Sequence, residues 1–115
     1  MDKFRNELLE ALQRLAESPA EQEAYLRKFD VGVDELALEY DDLFHLVDAK
    51  FRTGELGASE CEALSTLNKL LDDMSGPKNA ELWTTDALQH RDEWREVRRL
   101  AGKALAVINR ASAAT

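Results

Sequence analysis

Leu36, Tyr40, Leu43, Phe44, Val47 and Phe51 recur at spacings of three and four residues. That spacing puts all six on one face of a helix with 3.6 residues per turn. A strand alternates every two residues and would scatter them over both of its faces. A helix with such a stripe owes most of its stability to packing, so it requires neighbours that cover it.

The rest of the chain supplies them. Leu8, Leu12, Leu15 and Ala16 mark a first helix over 2–16, with Asp2 as its cap. Ser18, Pro19 and Glu21 then form a start signal: an N-cap serine, a proline at the first helical position and the acid of a capping box. This second helix runs to about 29 and is expected to bury Tyr25, Leu26 and Phe29. A turn over 30–34 ends in Asp34, a cap for the striped third helix. Thr53, Gly54 and Gly57 interrupt the pattern. A fourth helix starts near Gly57, with Glu60 at its third position and a staple between Leu56 and Cys61. Cys61, Leu64, Leu67, Leu71 and Met74 form its inner face, and Gly76-Pro77 stops it. Residues 78–83 read as a linker or a short helical turn. Thr84 or Thr85 caps the last helix, with Trp83 and Leu88 as a second staple. Its inner face is Leu88, Trp94, Val97, Ala101, Ala104, Leu105 and Ile108, and Gly102 is placed to allow close packing. The tail over 111–115 is expected to fray.

Only two prolines and five glycines occur in 115 residues, too few for the many turns of a sandwich or barrel. No strand-period segment and no internal repeat is found. The expected fold is all-α, a compact antiparallel bundle of four to five helices, in one domain over 1–115. The longest apolar run, 104–108, is far short of the ~20 residues of a membrane span. Met1 is followed by Asp2, Lys3 and Phe4 with no apolar region behind them, so no secretory leader is expected. The lone Cys61 reads as a small buried hydrophobe in a reducing compartment. A cytoplasmic location follows as an expectation.

Charge is distributed unevenly. Residues 1–33 hold seven acids and five bases, and residues 74–115 hold five acids and seven bases. Residues 34–73 hold eleven acids and three bases, so the whole net charge of −8 belongs to the third and fourth helices. Asp34, Asp41 and Asp48 are seven apart and fall on one stripe, flanked by Glu39 and Asp42, away from Leu36, Tyr40 and Phe44. His45 lies on the same polar side. Glu55, Glu60, Glu62, Asp72 and Asp73 extend the charge across the hairpin. Such a face either keeps a protein soluble or attracts and orients a basic partner. A protein surface that itself holds nucleic acid is a natural basic partner. Direct binding of DNA or RNA by this hairpin is not expected. In the last helix, Arg91, Arg95, Arg98, Arg99 and Lys103 alternate with Asp92, Glu93 and Glu96, which reads as a mixed solvated face.

Catalytic patterns are not found. His45 follows Asp41 by four and precedes Asp48 by three, a spacing that suits metal ligands, yet no second histidine or cysteine accompanies it. His90 follows Asp86 by four, which suits a local ion pair. The glycines form no phosphate-cradling loop, and Pro77 rules out a calcium loop over 72–81. Trp83 and Trp94 read as core anchors. No cofactor and no metal is expected, and the chain reads as a binding protein rather than an enzyme.

One family shares this character. The segment Lys50-Phe51-Arg52-Thr53-Gly54-Glu55-Leu56, followed by Glu60 and a leucine run to Asp72-Asp73-Met74, closes one helix in a glycine turn and opens an acid-rich one. In this layout the chain resembles helical bacterial immunity proteins of the colicin D type, the antidotes to bacteriocin and contact-dependent growth inhibition nucleases. The resemblance implies tight binding to a cognate nuclease toxin domain, with the acidic face in place of nucleic acid. Two other readings stay open: an adaptor bundle that binds another basic protein, and a structural homodimer.

Overall fold

A computed structural model describes residues 3–113. The described chain is helical throughout: α1 (Lys3–Ala16), α2 (Pro19–Phe29), α3 (Glu35–Phe44), α4 (Val47–Arg52), α5 (Ala58–Asp73), a 3₁₀ segment (Pro77–Trp83), α6 (Thr85–His90) and α7 (Asp92–Ala113). No strand occurs among these residues. The globule measures 41 × 27 × 20 Å. α7 packs against α1 and α5, and α1 also packs against α3. Leu8, Leu12, Leu15, Leu36, Tyr40, Leu64, Leu67, Trp94, Val97 and Ile108 meet in one core. No described helix is long and apolar enough to cross a membrane.

The seven helices replace the expected four to five because two long patterns are divided. The striped third helix breaks at His45 and Leu46, where the Leu46 N–H bonds back three residues to the Leu43 carbonyl. The tightened turn carries no glycine or proline. The region after Thr84 divides at Arg91, whose backbone is extended (ψ 140°). Thr84 does cap a helix, its hydroxyl accepting from the Ala87 N–H at 3.1 Å, but that helix is the short α6.

Several local signals act as the sequence indicates. Ser18 and Glu21 form the complete capping box at α2. Gly54 takes φ +82° after α4, with N–H bonds from Gly54 to Phe51 and from Glu55 to Lys50, the pair that closes a helix in a left-handed cap. Gly76 takes φ +100° and Pro77 opens the 3₁₀ segment. Trp94 is buried and its indole N–H donates to the Leu82 carbonyl at 2.6 Å. Trp83 donates to the Met74 carbonyl at 2.8 Å and meets Trp94 edge to face at 5.2 Å. The two rings thus pin the 3₁₀ segment between α5 and α7.

Other expectations are corrected. Phe29 and Phe51 are half exposed, each on the last turn of its helix. Leu105 and Cys61 are half-buried. Asp34 sits at the start of α3 but makes no cap bond. Its carboxylate turns back over Gly32, where a Cβ would lie 2.9 Å from Asp34 Oδ1. Asp2, expected to cap α1, and residues 114 and 115 of the expected frayed tail lie outside the described residues, while α7 continues through Ala113.

Gly102 has no close neighbour, since a Cβ there would meet nothing within 4 Å. Its presence costs α7 backbone entropy without a packing return. Gly102→Ala is expected to raise the unfolding free energy by about 0.5–1 kcal/mol. Urea unfolding checks this, with the midpoint moving and the slope unchanged.

Candidate functional site

The acids of α3, α4 and α5 do not form one surface. Two are bonded to arginines of α1, and two more acids pair locally at the surface. Glu60 is 5 % exposed. One of its oxygens accepts from Arg5 Nη1 at 2.8 Å and the other from the Gly57 N–H at 2.9 Å. Glu39 is half-buried and pairs with Arg14 at 2.9 Å. Glu55 pairs with Lys50 at 3.3 Å and accepts from Thr53 at 2.7 Å. Asp48 pairs with Arg52 one turn on. All four belong to the expected partner-binding face; the contacts of Glu60 and Glu39 withdraw their charge from it, whereas Asp48 and Glu55 keep theirs at the surface.

The break at His45 and Leu46 changes the stripe as well. Asp34 and Asp41 stay on one face of α3, but Asp48 belongs to α4 and lies beside a different depression. His45 is exposed, with Nδ1 2.7 Å from the Asp41 carbonyl. Asp42 and Asp73 are exposed. The Asp73 carbonyl accepts from the Asn79 amide at 3.0 Å. Glu62 points to the opposite side of α5, into a hollow with Leu100 and Lys103 of α7. Among the described residues, no group of three or more His, Cys, Asp or Glu side chains is placed to hold a metal ion.

What the fold does bring together is Asp34, Asp41 and Asp72. They line a groove of about 360 Å³ between α3 and the end of α5. Its apolar wall is Ala37, Leu38, Leu71 and Trp83, and Asn68 and Ser75 add neutral polar groups. No lysine or arginine lines it. Leu38 is 46 % exposed there, so an apolar surface stands open beside three carboxylates. Tyr40 ties α3 to α5, its buried hydroxyl donating to the Leu64 carbonyl at 2.6 Å. Burial pushes the Tyr40 phenol pKa well above its ordinary value. The carbonyl end of the α5 helix dipole adds negative potential near Asp72.

A second depression, about 200 Å³, lies between α4 and α5 and is lined by Phe44, Val47, Asp48, Phe51, Cys61 and Ser65. Partial burial, reinforced by the Glu60 and Asp48 carboxylates, raises the Cys61 thiol pKa. A thiol held protonated is a poor nucleophile.

Sequence reasoning missed two polar residues that organise the core. Gln22 is fully buried, and its amide donates to the Arg14 and Leu15 carbonyls at 3.0 and 3.1 Å. Arg98 reaches the Gln22 Oε1 at 3.1 Å and the Leu88 carbonyl at 3.2 Å. Arg98 therefore leaves the solvated face it was assigned to, and desolvation, with Arg95 nearby, lowers its pKa. Arg95 and Arg99 do form local surface pairs, with Asp92 and Glu96.

Comparison with known proteins returns no match among family models, curated proteins or solved structures.

Proposed function

We propose that this chain is a cytoplasmic, non-enzymatic immunity protein that neutralises a cognate bacterial nuclease toxin. The acidic groove would take up basic side chains that otherwise hold DNA or RNA. The observation that supports this reading most is the convergence of Asp34, Asp41 and Asp72 on a groove without a lining cation. Their combined negative potential attracts a cationic partner. Leu38 and Trp83 give the stem of a lysine or arginine an apolar surface to lie on. The resemblance of 50–74 to helical immunity proteins points the same way. Asp34, Asp41 and Asp72 carry the proposed role, with Asp42 and Asp73 as exposed flanking charge.

The test is capture from native cells with the tagged chain at low salt, followed by assay of the eluted partner. The expected partner is a basic nuclease domain that is released by high salt and inhibited by a stoichiometric amount of the chain. Asp41→Asn combined with Asp72→Asn is expected to weaken the complex about tenfold, or 1.4 kcal/mol, with its circular dichroism unchanged. A partner without nuclease activity would replace the toxin reading with that of an adaptor. Self-association as the main product would favour the homodimer.

A further inference from the structure

Cys61, Ser65, Asn68 and Asp72 follow one another at intervals of three and four on α5, so they form a single stripe about 16 Å long. The two depressions share it: the apolar one takes Cys61 and Ser65, and the acidic one takes Asn68 and Asp72. Ser65 and Asn68 are neighbours on the helix surface, which makes the two hollows consecutive along one seam. The opposite wall changes from Phe44, Val47 and Phe51 at one end to Asp34, Leu38 and Asp41 at the other. Phe51 and Leu38, at 49 % and 46 % exposure, are two of the four large apolar side chains that the described surface leaves open.

Resting on the binding role assigned above, we infer that this seam is a bipartite docking track for a basic amphipathic helix of the partner protein. An apolar anchor of that helix would sit against Phe51 and Val47. An arginine or lysine about two turns farther along the same face, about 10 Å away, would reach Asp41 and Asp72. Charge complementarity selects a basic occupant, and the exposed Phe51 and Leu38 select an amphipathic one. A helix satisfies its own backbone bonds, whereas an extended peptide draws affinity from a sheet edge, and no strand is present among the described residues.

The experiment is an NMR titration of the ¹⁵N-labelled full chain with an alanine-based helical peptide. The peptide carries two leucines on one face and two arginines two turns farther along that face. The expected result is one saturable event that moves the amides of Cys61, Ser65, Asn68 and Asp72 and the Trp83 indole together. Phe51→Ser leaves charge untouched and is expected to weaken binding about tenfold, as is Asp72→Asn. A peptide with glutamates in place of the arginines is expected not to bind. No binding, shifts confined to the acidic end, or a Phe51→Ser variant that binds as the parent does would each overturn the track. If the track fails while Asp41→Asn with Asp72→Asn still loses the nuclease, the immunity reading stands without it. If the peptide fills both ends and no nuclease is inhibited, the track stands and the immunity reading falls.

Discussion

Replacing Gln22 with leucine is expected to cost about 3 kcal/mol of folding free energy, which for a chain of this size is a drop of roughly 12 °C in melting temperature. The reason lies at the end of α1. That helix stops at Ala16 without a glycine cap, so its last carbonyls have no donors of their own. The Gln22 amide supplies them, bonding to Arg14 and Leu15 from the next helix. Its oxygen in turn accepts from Arg98, which also caps the Leu88 carbonyl. In an unbroken helix Leu88 would accept from the Asp92 N–H, and the division at Arg91 removes that donor. Leucine matches glutamine closely in volume, so the variant tests polarity rather than packing. It strands two carbonyls and a partly desolvated guanidinium. Arg98→Met is expected to cost less, about 1–2 kcal/mol, because it also removes the desolvated charge. The double variant should lose less than the two single losses added together, since the residues form one network. Denaturant unfolding measures all three, and a Gln22→Leu protein within about 0.5 kcal/mol of the parent would remove the network from the account.

Glu60→Ala is expected to destabilise the protein by about 3 kcal/mol, the scale for breaking a buried pair from one side. Glu60 combines two tasks. It closes the start of α5 by accepting the Gly57 N–H, and it holds Arg5 of α1. Arg5 also donates to the Glu55 carbonyl at 2.8 Å, so the α4–α5 turn is tied to α1 through the same guanidinium. Glu60→Gln keeps one oxygen, enough for the Gly57 N–H, but sets an NH2 donor against Arg5, so it is expected to lose less than the alanine variant while still losing the ion pair. The measurement that separates structure from interface is peptide binding by the Gln variant. A positioning acid inside the fold leaves that affinity unchanged, whereas an acid on the docking surface weakens it.

The acids show how much of the site was legible. Counting charge located the excess in 34–73, and the groove does lie between helices from that segment. Counting did not separate Glu60 from Asp72, because both are carboxylates on an acid-rich helix. One is buried against Arg5 and the other stands exposed at the groove. Their difference is set by Arg5, 55 positions away in the chain. Asp48 was read with Asp34 and Asp41 on the assumption of an unbroken helix. A turn tightened over three residues moves it to the other end of the seam.

Helix starts and stops that rest on local chemistry were readable from the residues: the serine and glutamate at α2, the glycine turn after α4, Gly76-Pro77 after α5. Periodicity identified which residues are apolar together, and most of them are buried. It does not say how fully a neighbour covers each apolar residue, so it does not separate the half-exposed Phe29 and Phe51 from the buried members of their stripes. The divisions at His45 and Arg91 have no glycine or proline to announce them. By itself the sequence determined an all-helical chain, the helix boundaries at Ser18, Gly54 and Gly76, and its acidic middle, since these follow from neighbours a few positions apart. The tertiary structure alone decided which acids are spent on internal pairs, where the polar clip of Gln22 and Arg98 falls, and that Asp34, Asp41 and Asp72 line one groove with an exposed leucine and a half-buried tryptophan. Those outcomes depend on side chains brought together from distant parts of the chain, and no local pattern encodes such distances.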